Sequence, residues 1–312
     1  MDSYRARLIG MEEKNRLVRA LPQLHERKAN IHGACIKLLT DNPEFKEAWE
    51  DNFKFMDEDV RPHARIFAVS DGGKLSVLYN RMSKTVIVRN CGYYGWVKSM
   101  ALALASDFFE DYASRKRRYS IHGAFVDLGG RGLALIGPPG MGKTTLTYGL
   151  LTGNGANYLA DDWFFVRFMG NDAVAYASEK NSYIREDLAK SWPVFAKKLN
   201  HVMLDARRRG VADMKLVLGE GRIRDESVLG AIVLLKRDKQ DKRIIRKLPP
   251  RDAISFMLKN DFCNPHQLVR TREKLKLRAD FFRELFSLVP VYLLNTCEKP
   301  QETLARLRGL PK

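Results

Sequence analysis

LALIGPPGMGKTTLTYGLL, residues 133–151, decides how the rest of the chain is read: an apolar run breaks into glycines and then resumes with helical spacing. Gly137, Gly142, Lys143 and Thr144 fill the pattern G-x-x-x-x-G-K-[ST]. That pattern bends the backbone so that successive N–H groups point inward at a bound phosphate chain. The spacing predicts a buried strand over 132–136 and a helix over 144–151, and the helix adds the positive end of its dipole to the anion site. Nucleotide contacts are expected from Gly137, Pro138, Pro139, Gly140, Met141, Gly142, Lys143, Thr144 and Thr145. Lys143 should reach the outer phosphates, and the Thr144 hydroxyl should ligate a magnesium ion. The implied cofactors are ATP or another nucleotide, and Mg²⁺.

A phosphate loop leaves open what is done with the nucleotide, so the next acidic residues on a strand carry more information. In GNGANYLADDWFFVR the chain turns at Gly153 and Gly155 and enters a strand over 158–166, interrupted by Asp161 and Asp162. Adjacent carboxylates on a strand project to opposite faces unless the strand bends. One of the pair is therefore expected to hold magnesium and the other to meet the acceptor. Asp162 is assigned to the metal beside Thr144, with an exchange of roles left open. The spelling GPPGMGKT is common in AAA-type ATPases, yet no later apolar run ends in the Asp-Glu that hydrolytic motors use.

The segment SIHGAFVDLGGRGLALIGPPGMGKTTLTYGLLTGNGANYLADDWFFVR resembles the core of HPr kinase/phosphorylase, whose relatives include the ATP-type phosphoenolpyruvate carboxykinases. His122 and Gly123, the loop, and Asp161 with Asp162 match that family's motifs in order. LVLGEGRIRDESVLGAIVLLKRD is similar to its later glycine-containing loop and puts Gly219, Gly221 and Arg224 on matching positions. The resemblance runs over about residues 119–237. It implies that His122 opens the strand before the loop and lies close to the transferred phosphate. The chain departs from the family in PPGM, where the bacterial enzymes carry a serine-containing loop, and in the basic DARRRGVADMK.

Outside this core the 312 residues are 45% hydrophobic, enough for one large domain or two ordinary ones. Residues 1–56 place Leu17, Leu21 and Leu24, then Phe45, Trp49 and Phe53, at helical intervals, which predicts two or three helices. ARIFAVS, KLSVLYN and KTVIVRN predict a small antiparallel meander over 64–89, and WVKSMALALASDFFEDYA predicts a packed helix. The boundary between an N-terminal α+β domain, 1–115, and the catalytic domain, 116–312, is expected at the basic run Arg115 to Arg118. Beyond the acidic pair, AVAYAS, AIVLLKR and PVYLLN read as strands. EDLAKSWPVFAKKL (broken at Pro193), RDAISFMLKN, KLRADFFRELFSLV and KPQETLARLRGL read as helices. This alternation means an α/β core.

No signal-peptide layout and no bilayer-length apolar run is read, and the four cysteines (35, 91, 263, 297) lack zinc or CxxC spacing. A cytoplasmic protein with no membrane association is expected. The net charge is +17, concentrated at 115–118, 207–209, from 236 and from 270. Such a field attracts polyanions, so RNA or an acidic protein is the expected partner, with a homo-oligomer left open. Arg222 and Arg224, leaving a glycine loop, and Arg207, Arg208 and Arg209 are the acceptor-binding candidates. The reading is an α/β protein with an HPr kinase-like P-loop core, a Mg-nucleotide phosphotransferase acting on a hydroxyl. Lys143 neutralises charge, Asp161 or Asp162 handles the hydroxyl proton, and His122 stands beside the transfer. The alternatives are a small-molecule kinase of the same fold and an AAA-type ATPase stimulated by nucleic acid.

Overall fold

The computed structural model describes residues 5–111 and 117–310. They cluster into two compact units: residues up to Arg118 together with His266–Thr271, and Tyr119–Pro265 together with the chain from Arg272 onward. The boundary expected at residue 115 and the first two residues of its basic run lie outside the described residues.

The first unit runs β1 (Arg7–Leu8), α1 (Met11–Arg19), β2 (His25–Ile31), β3 (Ala34–Thr40), α2 (Pro43–Asn52), β4 (Lys54–Phe55), β5 (Ala64–Val69), β6 (Ser76–Asn80), β7 (Thr85–Arg89) and α3 (Tyr94–Glu110). Its strands form one sheet in the order β1-β6-β7-β5-β3-β2-β4. Two expectations need correction. Residues 25–40 are a hairpin rather than part of a helical stretch, because His32 (φ 50°) and Gly33 (φ 88°) both take the left-handed conformation. A two-residue loop of that kind matches the twist of paired strands. Nor are residues 64–89 an antiparallel meander: β6 pairs β7 antiparallel, but β5 pairs β7 and β3 parallel. The three strands form where expected, and only their pairing differs. α3 is buried nearly all round, as its apolar sequence requires.

The second unit opens with β8 (Tyr119–Leu128), β9 (Arg131–Ile136), α4 (Lys143–Leu151), β10 (Ala156–Ala160), β11 (Trp163–Met169), β12 (Asp172–Ala177) and β13 (Ser182–Arg185). α5 (Leu188–Ser191) and two 3-10 turns follow, interrupted at Pro193 as its missing N–H demands. Next come β14 (Arg209–Ala212), α6 (Met214–Leu218), β15 (Glu226–Lys236), β16 (Ile245–Leu248), α7 (Pro250–Lys259), α8 (Arg272–Leu288), β17 (Val291–Asn295) and α9 (Pro300–Arg308).

β9 lies between β8, antiparallel, and β15, parallel. β8 also pairs β11, β11 pairs β12 and β12 pairs β15, so the pairings close into a circuit. The apolar run in β9 serves both faces of this sheet. Ala134 and Ile136 join a core with Phe281, Phe282 and Leu285 of α8, while Leu133 and Leu135 join one with Leu146 and Leu150 of α4 and Leu304 of α9. A strand buried on both faces reads as continuous rather than alternating hydrophobicity, which is how 133–136 looks in the sequence. Its C-terminal end delivers the chain into the glycine loop.

Candidate active site

The loop from Gly137 to Thr144 joins β9 to α4. At Gly137 a Cβ would stand 2.9 Å from both Cβ and the carbonyl oxygen of Leu235, so the loop begins pressed against β15. Gly142 caps α4 at φ 93°, which a side chain would strain. Lys143 Nζ donates to the Gly137 carbonyl at 2.8 Å, folding back along the loop that it is expected to serve. Burial pulls the pKa of its ammonium down, opposed by Asp162, Cys263 and Asp161 in that order. The α4 end of the loop is fastened by Trp192, whose indole N–H donates to Thr145 O at 2.6 Å and whose ring would meet a Cβ on Gly149 at 2.5 Å.

The acidic pair sits in the bend between β10 and β11, both antiparallel to β8. Because the chain bends, the two carboxylates part. Asp161 is buried and its Oδ2 accepts from Ser182 Oγ at 2.9 Å, the first residue of β13. Asp162 is 33% exposed, and its Oδ1 lies 3.2 Å from His122 Nε2. The Gly123 N–H donates to Asp162 O at 2.8 Å, which locks the bend to β8. His122 and Gly123 stand in the middle of β8 rather than at its start.

The other ring nitrogen of His122, Nδ1, is 2.6 Å from the carbonyl oxygen of Cys263. A carbonyl only accepts, so Nδ1 carries the hydrogen and Nε2 is turned to the Asp162 carboxylate. A hydrogen bond there needs a proton on Nε2 or on the carboxyl. That Cys263 carbonyl is presented by Asp261, Phe262 and Cys263, at φ 51°, 54° and 55°. Successive non-glycine residues in this region are costly and are found where the surroundings impose them. Burial pushes the Cys263 thiol up to about 12, so it stays a neutral neighbour of Lys143.

Lys143, Asp161, Asp162 and His122 therefore face one locality at the end of β9. Among the described residues there is no cluster of three or more His, Cys, Asp or Glu suited to a metal. Mg²⁺ does not require one, being held commonly by one or two carboxylates, substrate phosphates and water. The Thr144 hydroxyl and the Asp162 and Asp161 carboxylates are oxygen donors of the right hardness for it.

The arginines divide. Arg222 donates to the carbonyls of Leu151 (2.8 Å), Gly153 (3.3 Å) and Ala156, at the C-terminal end of α4. Arg224 donates to Gly221 O and Ile223 O, and its backbone N–H bonds Tyr158 O. α4 has nine residues, about 13 Å at its usual rise, and it separates Arg222 from the phosphate loop. Arg224 precedes β15 at the strand end opposite to the loop. The structure thus gives these two structural partners away from the transfer zone, contrary to expectation, because a glycine loop before a strand enters the sheet from the end opposite to the one β9 leaves. Arg207, Arg208 and Arg209 form a turn at the end of the β13–β14 ribbon, with Asp205 accepting from the N–H of Arg207 and Arg209 and Arg208 paired to Glu186. The opposite end of that ribbon is Ser182 against Asp161, about 10 Å away at strand rise. Ser182, Trp192 and the Cys263 carbonyl were not anticipated, since nothing in local spacing marks a residue that touches a site from a distant loop.

No protein-family model matches the chain. It is 31% identical over 141 residues to the HPr kinase/phosphorylase of Chlorobium luteolum, covering 45% of this chain and 36% of that protein. The corresponding protein of Prosthecochloris aestuarii is 28% identical over 132 residues, 42% of this chain and 33% of the relative. The matched stretch thus spans about a third of the length of these curated relatives. Among solved structures, the HPr(Ser) kinase/phosphatase from Coxiella burnetii aligns at 13% identity with a TM-score of 0.35, over 61% of this chain and 93% of that one. Over somewhat under half of its length the chain is similar in sequence to HPr kinase/phosphorylases.

Proposed function

We propose that the chain is a Mg-nucleotide-dependent phosphotransferase that moves the terminal phosphoryl group of ATP to a hydroxyl on an acidic protein. The observation that carries the reading is the convergence of Lys143, Asp162 and His122 at the mouth of a phosphate loop, with kinase/phosphorylase relatives matching over 45% of the chain. Mg²⁺, when bound, supplies charge neutralisation on the phosphates, and Thr144 and one of the carboxylates hold it.

The chain's own residues do the rest by positioning and electrostatics. Loop N–H groups hold the phosphates, and Lys143 exchanges its bond to Gly137 O for the phosphate oxygens. Asp162, the more exposed carboxylate, takes the proton of the acceptor hydroxyl as its oxygen bonds to phosphorus and the bond to the nucleoside diphosphate breaks. His122, fixed by the Cys263 carbonyl, orients Asp162. Asp161, held by Ser182 at the β10–β11 bend, is then the carboxylate that would hold Mg²⁺ beside Thr144, the exchange of the roles expected from the sequence. For the acceptor, the ribbon ending in Arg207, Arg208 and Arg209 is a basic surface within reach of Asp161, which favours an anionic macromolecule over a small substrate.

The test is incubation with γ-labelled ATP, Mg²⁺ and a fractionated cell extract, beside a Lys143→Ala control. Acid-stable label on a protein, absent in the control, supports the reading. Hydrolysis stimulated by nucleic acid with no labelled product overturns it in favour of an ATPase, and label on a small molecule overturns the macromolecular acceptor.

A further inference from the structure

The turn that follows β15 carries a cation that the site description above does not use. Lys236 is paired with Asp238 (3.2 Å) and Asp241 (2.7 Å), and Arg243 with Asp241 (3.1 Å). Among the described residues Arg237 meets no carboxylate. Its Nε donates to Thr296 O at 3.1 Å and Thr296 Oγ1 at 3.4 Å. Its Nη2 stands 3.8 Å from where a Cβ on Gly142 would lie, alongside the last residue of the phosphate loop before Lys143.

The placement is built rather than incidental. β9 and β15 are parallel neighbours with Ile136 opposite Leu234, so the chain leaving β15 emerges beside the loop leaving β9. The turn after β15 is then fastened to the end of β17. Asn295, buried, donates to Asp238 O (2.7 Å) and Asp241 O (2.9 Å) and accepts from Asp238 N (2.9 Å). Thr296 bonds Lys236 O through both its N–H and its hydroxyl. A guanidinium tied at Nε loses much of its rotational freedom while its two Nη groups remain available as a planar fork, the geometry suited to phosphate oxygens.

We propose that Arg237 is a second cation of the phosphate site, donating from its Nη groups to the phosphate chain held by residues 137–144, with Asn295 and Thr296 as its positioning residues. This rests on the reading of that loop as a nucleotide-phosphate site. It names a contact that would act on charge and not on the nucleoside, so its contribution should grow with the number of phosphates.

The experiment is equilibrium binding of ATP, ADP, AMP and adenosine, followed by calorimetry, to wild type, Arg237→Ala, Arg237→Lys, Thr296→Val and Lys143→Ala, each first matched to wild type by circular dichroism. Loss of a charge-assisted contact predicts ATP binding about 10- to 100-fold weaker in Arg237→Ala. Arg237→Lys should lie between, and Thr296→Val should lose part of the effect. The deficit should shrink from ATP to ADP and vanish with adenosine. Wild-type ATP affinity in both Arg237→Ala and Arg237→Lys, with Lys143→Ala defective, overturns the role of Arg237 alone. Wild-type affinity in Lys143→Ala as well overturns the phosphate-site reading beneath it. If Arg237→Ala does not fold, the charge-preserving Arg237→Lys decides: unchanged affinity and unchanged dependence on phosphate number overturn the proposal.

Discussion

Asp161 and Asp162 adjoin in sequence but have different surroundings, which sets apart what their loss should do. Asp162 faces His122 and partly faces solvent, so Asp162→Asn should lower kcat by at least ~100-fold while melting temperature stays near wild type. Asp161 is buried against Ser182, so Asp161→Asn should lower both kcat and the melting temperature. Steady-state kinetics beside thermal melts distinguish the two, and identical behaviour of both variants would remove the division of roles. Lys143→Ala should abolish transfer in a protein that still folds, because its ammonium bonds the loop carbonyls of Gly137 and Pro138. Full transfer in that variant would sink the phosphotransferase reading.

Among the elements, α4 carries the glycine loop at one end and is anchored at the other. Arg222 satisfies carbonyls just past its last turn, so Arg222→Ala should cost about 1–3 kcal/mol in urea unfolding with nucleotide affinity unchanged. β8 ends in a comparable hub: Asp127 accepts from Ser227 Oγ (2.6 Å), Asn157 Nδ2 (2.8 Å) and Gly130 N (3.0 Å). Burial acts to raise its pKa, but these hydrogen bonds outweigh it and hold the carboxyl below its usual range. A folded pKa depressed in this way gives stability that is present above the ordinary carboxylate value of about 4 and is lost as pH falls through the folded value. Asp127→Asn should therefore be less stable than wild type at pH 7, with the gap closing towards pH 3; a constant gap would contradict the linkage. The helices and strands of this unit were legible because 133–151 switches from a strand to a helical period around glycine and because the later apolar runs are long. The hairpin over 25–40 was hidden since β2, HERKANI, opens on four polar residues and alternates only over its last three, Ala29, Asn30 and Ile31. Parallel pairing of β5 was unreadable for a different reason, since pairing belongs to the partner strand and not to the strand's own residues. Within the site, Lys143, His122 and the acidic pair stand out by residue type and order. Ser182 and the Cys263 carbonyl reach it only through folding, and Arg237 was hidden in a run of charge.

At the scale of the whole molecule, the net charge of +17 makes association with an acidic partner sensitive to salt. For the acidic protein acceptor proposed above, Kd should rise steadily with added salt as the charges on the two surfaces are screened. Replacing Arg207, Arg208 and Arg209 together by glutamate should weaken acceptor binding and leave ATP binding intact. Flat salt dependence with full activity in the triple variant would indicate a small acceptor. The position of β9 has a further consequence, for the order in which the protein is made. The strand that delivers the phosphate loop is flanked on one side by β8, a few residues upstream, and on the other by β15, which lies about ninety residues downstream and carries Leu235, against which Gly137 is pressed. Contacts of such sequence separation form late, after the intervening chain has been closed into a loop. During synthesis the loop sequence emerges from the ribosome long before its far wall, so nucleotide binding should arise only once residues near 236 have emerged. A ladder of stalled nascent chains, probed with a fluorescent ATP analogue, should be silent up to that length, making ligand capture a report that the far wall of the loop is in place.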